Sequence, residues 1–172
     1  MVTYKFGLEK SEVDGVYETE KLCFPEDPWP RSAFSDDADN PLVSYVLAKD
    51  GDKVVGYVAI YVIFEAADIS NVAVRPEYRR QGIARKLLNV VISAAKERGV
   101  MLVSLEVREN NDAAIRLYES LGFKYVATRK KYYQNTYDAL IYQLQFKEAQ
   151  HFKLRSGRRR PKNNSIFTRL GQ

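Results

Sequence analysis

Arg79-Arg80-Gln81-Gly82-Ile83-Ala84 gathers the parts of an anion site into one short segment. A glycine lets backbone come close to a ligand. The first N–H groups of a following helix have no partner inside that helix, and its dipole favours negative charge there. Arg79, Arg80 and nearby Arg85 add positive potential. A diphosphate is the natural ligand of such a loop. It is not a Walker loop, because no Gly-Lys-Ser/Thr follows, and it lacks Gly-x-Gly-x-x-Gly. Alone, it also fits a strand–helix turn with solvated arginines. Two further residues are of types that move protons: Glu106, flanked by apolar Leu105 and Val107, and the phenol Tyr118. Each has a plainer reading, Glu106 as a strand-end acid paired with Arg108 or a lysine, and Tyr118 as a core tyrosine. No cluster has metal-ligand spacing, so no metal is expected, and lone Cys23 reads as structural.

The period of apolar residues supplies elements to hold these groups. Val2 to Leu8 alternates weakly, as a first strand would. Ser11, ahead of Glu12, Val13, Val16, Tyr17 and Glu20, predicts a helix start. That helix must end before Pro25, because Pro25, Pro28 and Pro30 keep their preceding residues out of the helical region. A short second helix is expected over Ser32 to Asp36. Val43 to Lys49 and Val54 to Phe64 flank Asp50-Gly51-Asp52, a hairpin signal. Ile69 to Val74 is a further strand, ending at Pro76. Ile83, Leu87, Val91 and Ala94 then recur at helical spacing up to Gly99. Met101 to Val107 is a strand. Asn111 or Asp112 caps a helix that runs to Leu121, before Gly122. Lys124 to Tyr132 and Tyr137 to Phe146 are two last strands around Gln134-Asn135-Thr136. The order β-α-α-β-β-β-α-β-α-β-β predicts an α+β fold with a mixed sheet. Residues 1–146 form the expected domain, and 147–172 a basic tail.

On these elements the loop resembles the Gln/Arg-x-x-Gly-x-Gly/Ala signature of the GNAT acetyltransferases, with Ala84 in place of the commoner last glycine. Asn71-Val72-Ala73-Val74-Arg75-Pro76 is similar to the strand before that signature. Leu105-Glu106-Val107-Arg108, and the run from Asn110 to Phe123, are similar to the matching stretch of RimI-type ribosomal-protein alanine N-acetyltransferases. The resemblance spans roughly residues 3 to 146. It implies acetyl-CoA held between two splayed strands, Ile69–Val74 and Met101–Val107. Main-chain groups of Val72, Ala73 and Val74 would meet the pantetheine arm, as an added strand would. Gln81, Gly82, Ile83 and Ala84 would hold the pyrophosphate through their N–H groups, beside Arg79 and Arg80. Asn111 and Tyr118 would contact the cofactor further along.

The resemblance also assigns roles. Glu106 is the general base, and Tyr118, beside the thioester sulfur, is the acid that reprotonates the thiolate. Phe24-Pro25-Glu26-Asp27 resembles the first acceptor loop of N-terminal acetyltransferases. It combines the Leu-Pro-Glu form of archaeal and eukaryotic members with the Phe-Pro-Trp form of RimI-type ones, Trp29 being displaced by three residues. Phe24 and Glu26 are therefore acceptor candidates, with Glu26 as an ammonium ligand, a second base or an exposed loop charge. Tyr132 and Tyr133 match paired tyrosines that form the opposite wall. A free α-amine has a pKa near 7.7–8.0 against about 10.4 for lysine, so its neutral fraction at pH 7 is roughly a few hundred times larger.

Composition limits the remaining classes. Of 172 residues, 45% are hydrophobic, enough for one core. The longest apolar run, Val54 to Phe64, has 11 residues, short of the roughly 18 a membrane helix needs. Charged residues from Lys5 to Glu20 leave no signal-peptide core, so a cytoplasmic enzyme without a membrane partner is expected. The net charge of +5 is uneven. Residues 151–172 hold seven Lys or Arg and no acid, leaving 20 basic against 22 acidic residues in the rest. Such a tail fits either a solvated extension or a contact with RNA or a ribosome. The expected function is acetylation of a protein N-terminal α-amine, with a ribosomal protein starting with alanine as one acceptor. Transfer to a small amine or a lysine side chain is the alternative, and a non-catalytic CoA-binding module a third reading.

Overall fold

A computed structural model describes residues 1–133 and 136–147; Gln134-Asn135 and the basic tail from residue 148 onward lie outside the described residues. The elements follow the predicted order: β1 (Val2–Phe6), α1 (Val13–Cys23), α2 (Arg31–Asp39), β2 (Val43–Asp50), β3 (Lys53–Ile63), β4 (Ala66–Val74), α3 (Ile83–Glu97), β5 (Leu102–Arg108), α4 (Asp112–Ser120), β6 (Lys124–Tyr133) and β7 (Tyr137–Gln145). One mixed sheet results, in the order β1-β2-β3-β4-β5-β7-β6. Short turns make β2 to β4 an antiparallel meander, β1 pairs antiparallel with β2 across the connection that carries α1 and α2, and the α3 crossover makes β5 parallel to β4. Among the described residues no helix is long and apolar enough to cross a membrane.

Strand β3 is buried on both faces, which is why it reads as a continuous apolar run instead of an alternating one. On one face α3 lays down Ile83, Leu87, Leu88, Val91 and Ala95 against Val46, Val58, Ile60 and Val103. On the other, Val13, Val16 and Phe34 of α1 and α2 cover Tyr45, Leu47, Tyr57 and Ala59. Each fully buried leucine here contributes about 1.5–3 kcal/mol. Gly56 allows β3 and β4 to close up, because a Cβ there would lie 2.8 Å from the Ala73 carbonyl oxygen.

Two local expectations shift. Ser11 does not cap α1. A 3-10 turn over Lys10–Glu12 precedes the helix, and the Glu12 carboxylate reaches back to the Glu9 N–H at 3.1 Å. Strand β4 starts at Ala66, not Ile69, because the turn after β3 is tight, with Phe64 in the left-handed region at φ 55°.

The feature that positions the site is a parting in the sheet. Parallel pairing of β4 with β5 runs only from Ala66↔Leu102 to Ile69↔Leu105. Beyond it, β4 stays with β3 and β5 stays with β7. The cause is local. The register with β3 jumps from Ile60↔Ile69 to Ala59↔Asn71, so Ser70 is an extra residue in β4. Such a bulge bends its strand and ends pairing.

Candidate active site

The parting is lined by main chain. Arg75 N–H bonds the Val55 carbonyl at 2.8 Å. By strand alternation the polar groups of Ala73 then also face β3, and those of Val72 and Val74 face the parting. Ala73, grouped with them in the sequence, instead puts its side chain into the core under α1 and α2. The Val74 carbonyl already accepts from Cys23 Sγ at 3.3 Å and Arg79 Nε at 3.0 Å. Burial pushes the Cys23 thiol up, so it stays protonated and donates, as a structural cysteine does.

At the end of β4 the loop turns into α3. Gly82 is the N-cap at φ 77°, and no side chain caps this end. A Cβ at Gly82 would meet nothing within 4 Å, so backbone conformation, not crowding, requires the glycine. Arg80 is also left-handed at φ 61°, a cost that an arginine bears only where the surroundings hold it. Arg79, Arg80 and Gln81 are exposed, and the buried side chain of Ile83 anchors the helix start. The first N–H groups of α3, at Ile83 and Ala84, therefore end the helix with positive dipole and an open approach. Arg85 is turned aside, its Nη2 donating to Ser120 Oγ at 2.9 Å. Asn111 caps α4, its Oδ1 accepting the Ala114 N–H at 3.2 Å; that cap leaves the amide's own donors unused. A strand-like groove that runs toward an uncapped helix start fits a long amide arm ending in a diphosphate.

Glu106 is the first residue of β5 beyond its pairing with β4. Its neighbours Leu105 and Val107 enter the core under α3, so Glu106 points to the opposite face. There its side chain is 29% exposed, and Oε1 lies 3.0 Å from Arg129 Nη2 of β6. The partner is thus Arg129, not Arg108 or a lysine. The same guanidinium lies over the Tyr132 ring, 4.7 Å from its centroid. Tyr118 is buried on the α3 face, edge-on to Phe123 at 6.0 Å. Glu106 and Tyr118 therefore stand on opposite faces of the sheet.

Phe24, Pro25, Glu26 and Asp27 are all exposed in the loop between α1 and α2. The root of that loop is fixed by Glu20. Its carbonyl accepts the Phe24 N–H at 2.8 Å, and its Oε1 accepts the Trp29 N–H at 3.0 Å. Tyr132 is 49% exposed, and the backbone of Tyr133 pairs with Tyr137. A break in register after Arg129, with Lys131 at φ 49°, sets this end of β6. Asp138 holds it by accepting the Lys131 N–H at 2.8 Å and Lys130 Nζ at 2.9 Å, and these bonds keep its carboxyl below the usual range.

Sequence reasoning missed Arg129 and the structural part played by Glu20. Nothing local marks Arg129, since its partner sits two strands away. Glu20 did carry a signal: its spacing from Val13 and Val16 puts an acid on the buried face of α1.

Residues 13–123 match the sequence model of the acetyltransferase (GNAT) family. The [ribosomal protein bS18]-alanine N-acetyltransferase of Escherichia coli is 36% identical over 130 residues, 76% of this chain and 86% of that protein. The N-alpha-acetyltransferase RimI of Mycobacterium tuberculosis is 40% identical over 134 residues, 74% of this chain and 82% of that one. The crystal structure of the Escherichia coli ribosomal-protein alanine N-acetyltransferase superposes with a TM-score of 0.79 at 32% identity, covering 88% of this chain and all of that one. With this sheet, this helix start and these relatives, the chain belongs to the GNAT family and is an acetyl-CoA-dependent N-acetyltransferase.

Proposed function

We propose that this enzyme acetylates the N-terminal α-amine of a protein, with Glu106 as base and Tyr118 as acid. A ribosomal protein beginning with alanine is the acceptor class for which its relatives are named. The observation that carries the reading is the placement of Glu106. It is the first carboxylate past the parting, on the face that carries α1, α2 and the Tyr132 end of β6. The exposed walls at Phe24 and Tyr132 suit a peptide end better than a closed small-amine pocket would.

Acetyl-CoA would lie with its pantetheine along Val72 and Val74 and its diphosphate at Gln81 to Ala84. Arg79 and Arg80 lie beside it, and Asn111 offers its amide donors further along. The acceptor reacts as a neutral amine. Its lone pair attacks the thioester carbonyl, Glu106 takes the remaining proton directly or through water, and the C–S bond breaks. Tyr118 gives its hydroxyl proton to the departing thiolate. The balance is one amide and one free thiol per turnover. Phe24, Glu26, Tyr132 and Tyr133 would line the acceptor's path, Glu26 as a surface charge toward the ammonium.

The test is acetyl transfer to peptides starting with Ala, Ser or Met, to the same peptides with blocked N-termini and a free lysine, and to spermidine. Transfer to free N-termini alone is expected, and Glu106→Gln should lower kcat/KM by about 10²- to 10³-fold with the acetyl-CoA KM unchanged. Turnover of lysine or spermidine alone would overturn the reading.

A further inference from the structure

Glu20 is a buried acid that the transfer chemistry does not use. It is 1% exposed and stands on the inner face of α1. Among the described residues no cation pairs with it. Its oxygens are instead filled by neutral donors from three other parts of the chain. Oε1 takes the Trp29 N–H at 3.0 Å from the loop between α1 and α2. Oε2 takes the Tyr57 hydroxyl of β3 and, at 3.0 Å, Asn71 Nδ2 of β4. Asn71 also donates to the Tyr57 oxygen at 2.8 Å, closing a triangle. Burial, and then the Glu20 charge, raise Tyr57 well above its ordinary pKa, so it remains a donor at neutral pH. A carboxylate this enclosed and this saturated has no room for a ligand.

What it joins is informative. Asn71 directly precedes Val72, and Cys23, at the end of the same helix, bonds the Val74 carbonyl. The last turn of α1 is thus pinned to β4 on both sides of Val72. The same turn leads into Phe24 to Trp29. Taking that loop as the acceptor wall, as the proposed function does, we propose that Glu20 is a positioning residue that sets the acceptor loop against the cofactor strand. A buried carboxylate suits the task because bonds to a charged acceptor are stronger than neutral ones, and because it can accept from both sides at once.

Glu20→Gln separates the two tethers. If the amide oxygen faces Trp29, the NH2 group opposes Asn71 Nδ2; if it faces Asn71 and Tyr57, the NH2 group opposes the Trp29 N–H. Either way one tether is lost. Trp29 is the only tryptophan in the chain, so its fluorescence reports the loop alone. The expected result is a rise in acceptor-peptide KM of about tenfold, with kcat and acetyl-CoA KM within about twofold, and greater quenching of Trp29 by acrylamide. Tyr57→Phe keeps the ring and removes the hydroxyl, so it should move both readouts the same way by a smaller factor. It carries the test if the first variant does not fold. Unchanged acceptor KM and Trp29 quenching in a folded variant, or a loss confined to kcat, would overturn the proposal. Failure of the wild type to acetylate any α-amine would instead sink the proposed function, and Trp29 quenching would still decide the role of Glu20.

Discussion

In the proposed mechanism, Tyr118 and Glu106 would divide one proton problem between two faces of a sheet. Tyr118 sits among apolar groups edge-on to Phe123, so Tyr118→Phe keeps its packing and deletes only the hydroxyl. If that hydroxyl reprotonates the thiolate, kcat should fall by about ten- to a hundredfold. An unchanged kcat would make Tyr118 a packing residue. Stopped acetylation assays with thiol detection read both steps. Glu106 was legible because a lone acid between two inward-facing residues must point the other way. Arg129 was not, since a cross-strand pair depends on the β6–β7 hairpin lying beside β5 with one particular register. Glu20 lay between these cases. Its position on the buried face of α1 was readable, but its three donors came from Trp29, Tyr57 and Asn71, which are distant in the chain.

At the scale of elements, the helices and strands followed from period and punctuation, and the errors fell where side chains overrode them. Ser11 is an ordinary cap type, yet Glu12 organises the start of α1 by receiving Lys5 Nζ at 2.7 Å and Lys49 Nζ at 2.9 Å as well as the Glu9 N–H. Burial alone would raise the Glu12 carboxyl. The bonds from Lys5, Lys49 and Glu9 outweigh it and leave the group below its ordinary value. A folded-state pKa lowered in this way gives stability that is complete above the unfolded value and is lost as pH falls through the folded one. Glu12→Gln should therefore cost about 1–3 kcal/mol near pH 7. The gap between variant and wild type should narrow below about pH 4. Urea unfolding at both pH values measures it. A constant gap would mean that shape, not charge, is what Glu12 supplies. The Ser70 bulge was not legible at all, because a bulge is a property of two strands in register and β4 carries no glycine or proline to announce it.

For the whole molecule, chain order predicted the mixed sheet, and the α3 crossover accounts for its one parallel pairing. The position of β7 between β5 and β6 could not be read from periodicity, which is the same for either strand of a hairpin. The consequence for the site is that β4 has an open side. The Val72 and Val74 amides face it, so they should exchange with deuterium quickly in the free enzyme. Coenzyme A should slow them at least about tenfold while leaving the Tyr57 and Val58 amides unchanged. Equal protection with and without ligand would mean that the cofactor does not run along β4.

Mechanically, the two halves of the sheet meet through four parallel residue pairs, Ala66 to Ile69 against Leu102 to Leu105, and then diverge. The sheet is thus a plate with a crack that stops partway across. A crack concentrates compliance at its tip, and Glu106 is the first residue past that tip. A donor lying along the open edge, as proposed, would bond to the near plate and limit how far the far one can swing. On this view the carboxylate's distance from the thioester is set by the bound donor as much as by the polypeptide, and the enzyme acquires its working stiffness only when loaded.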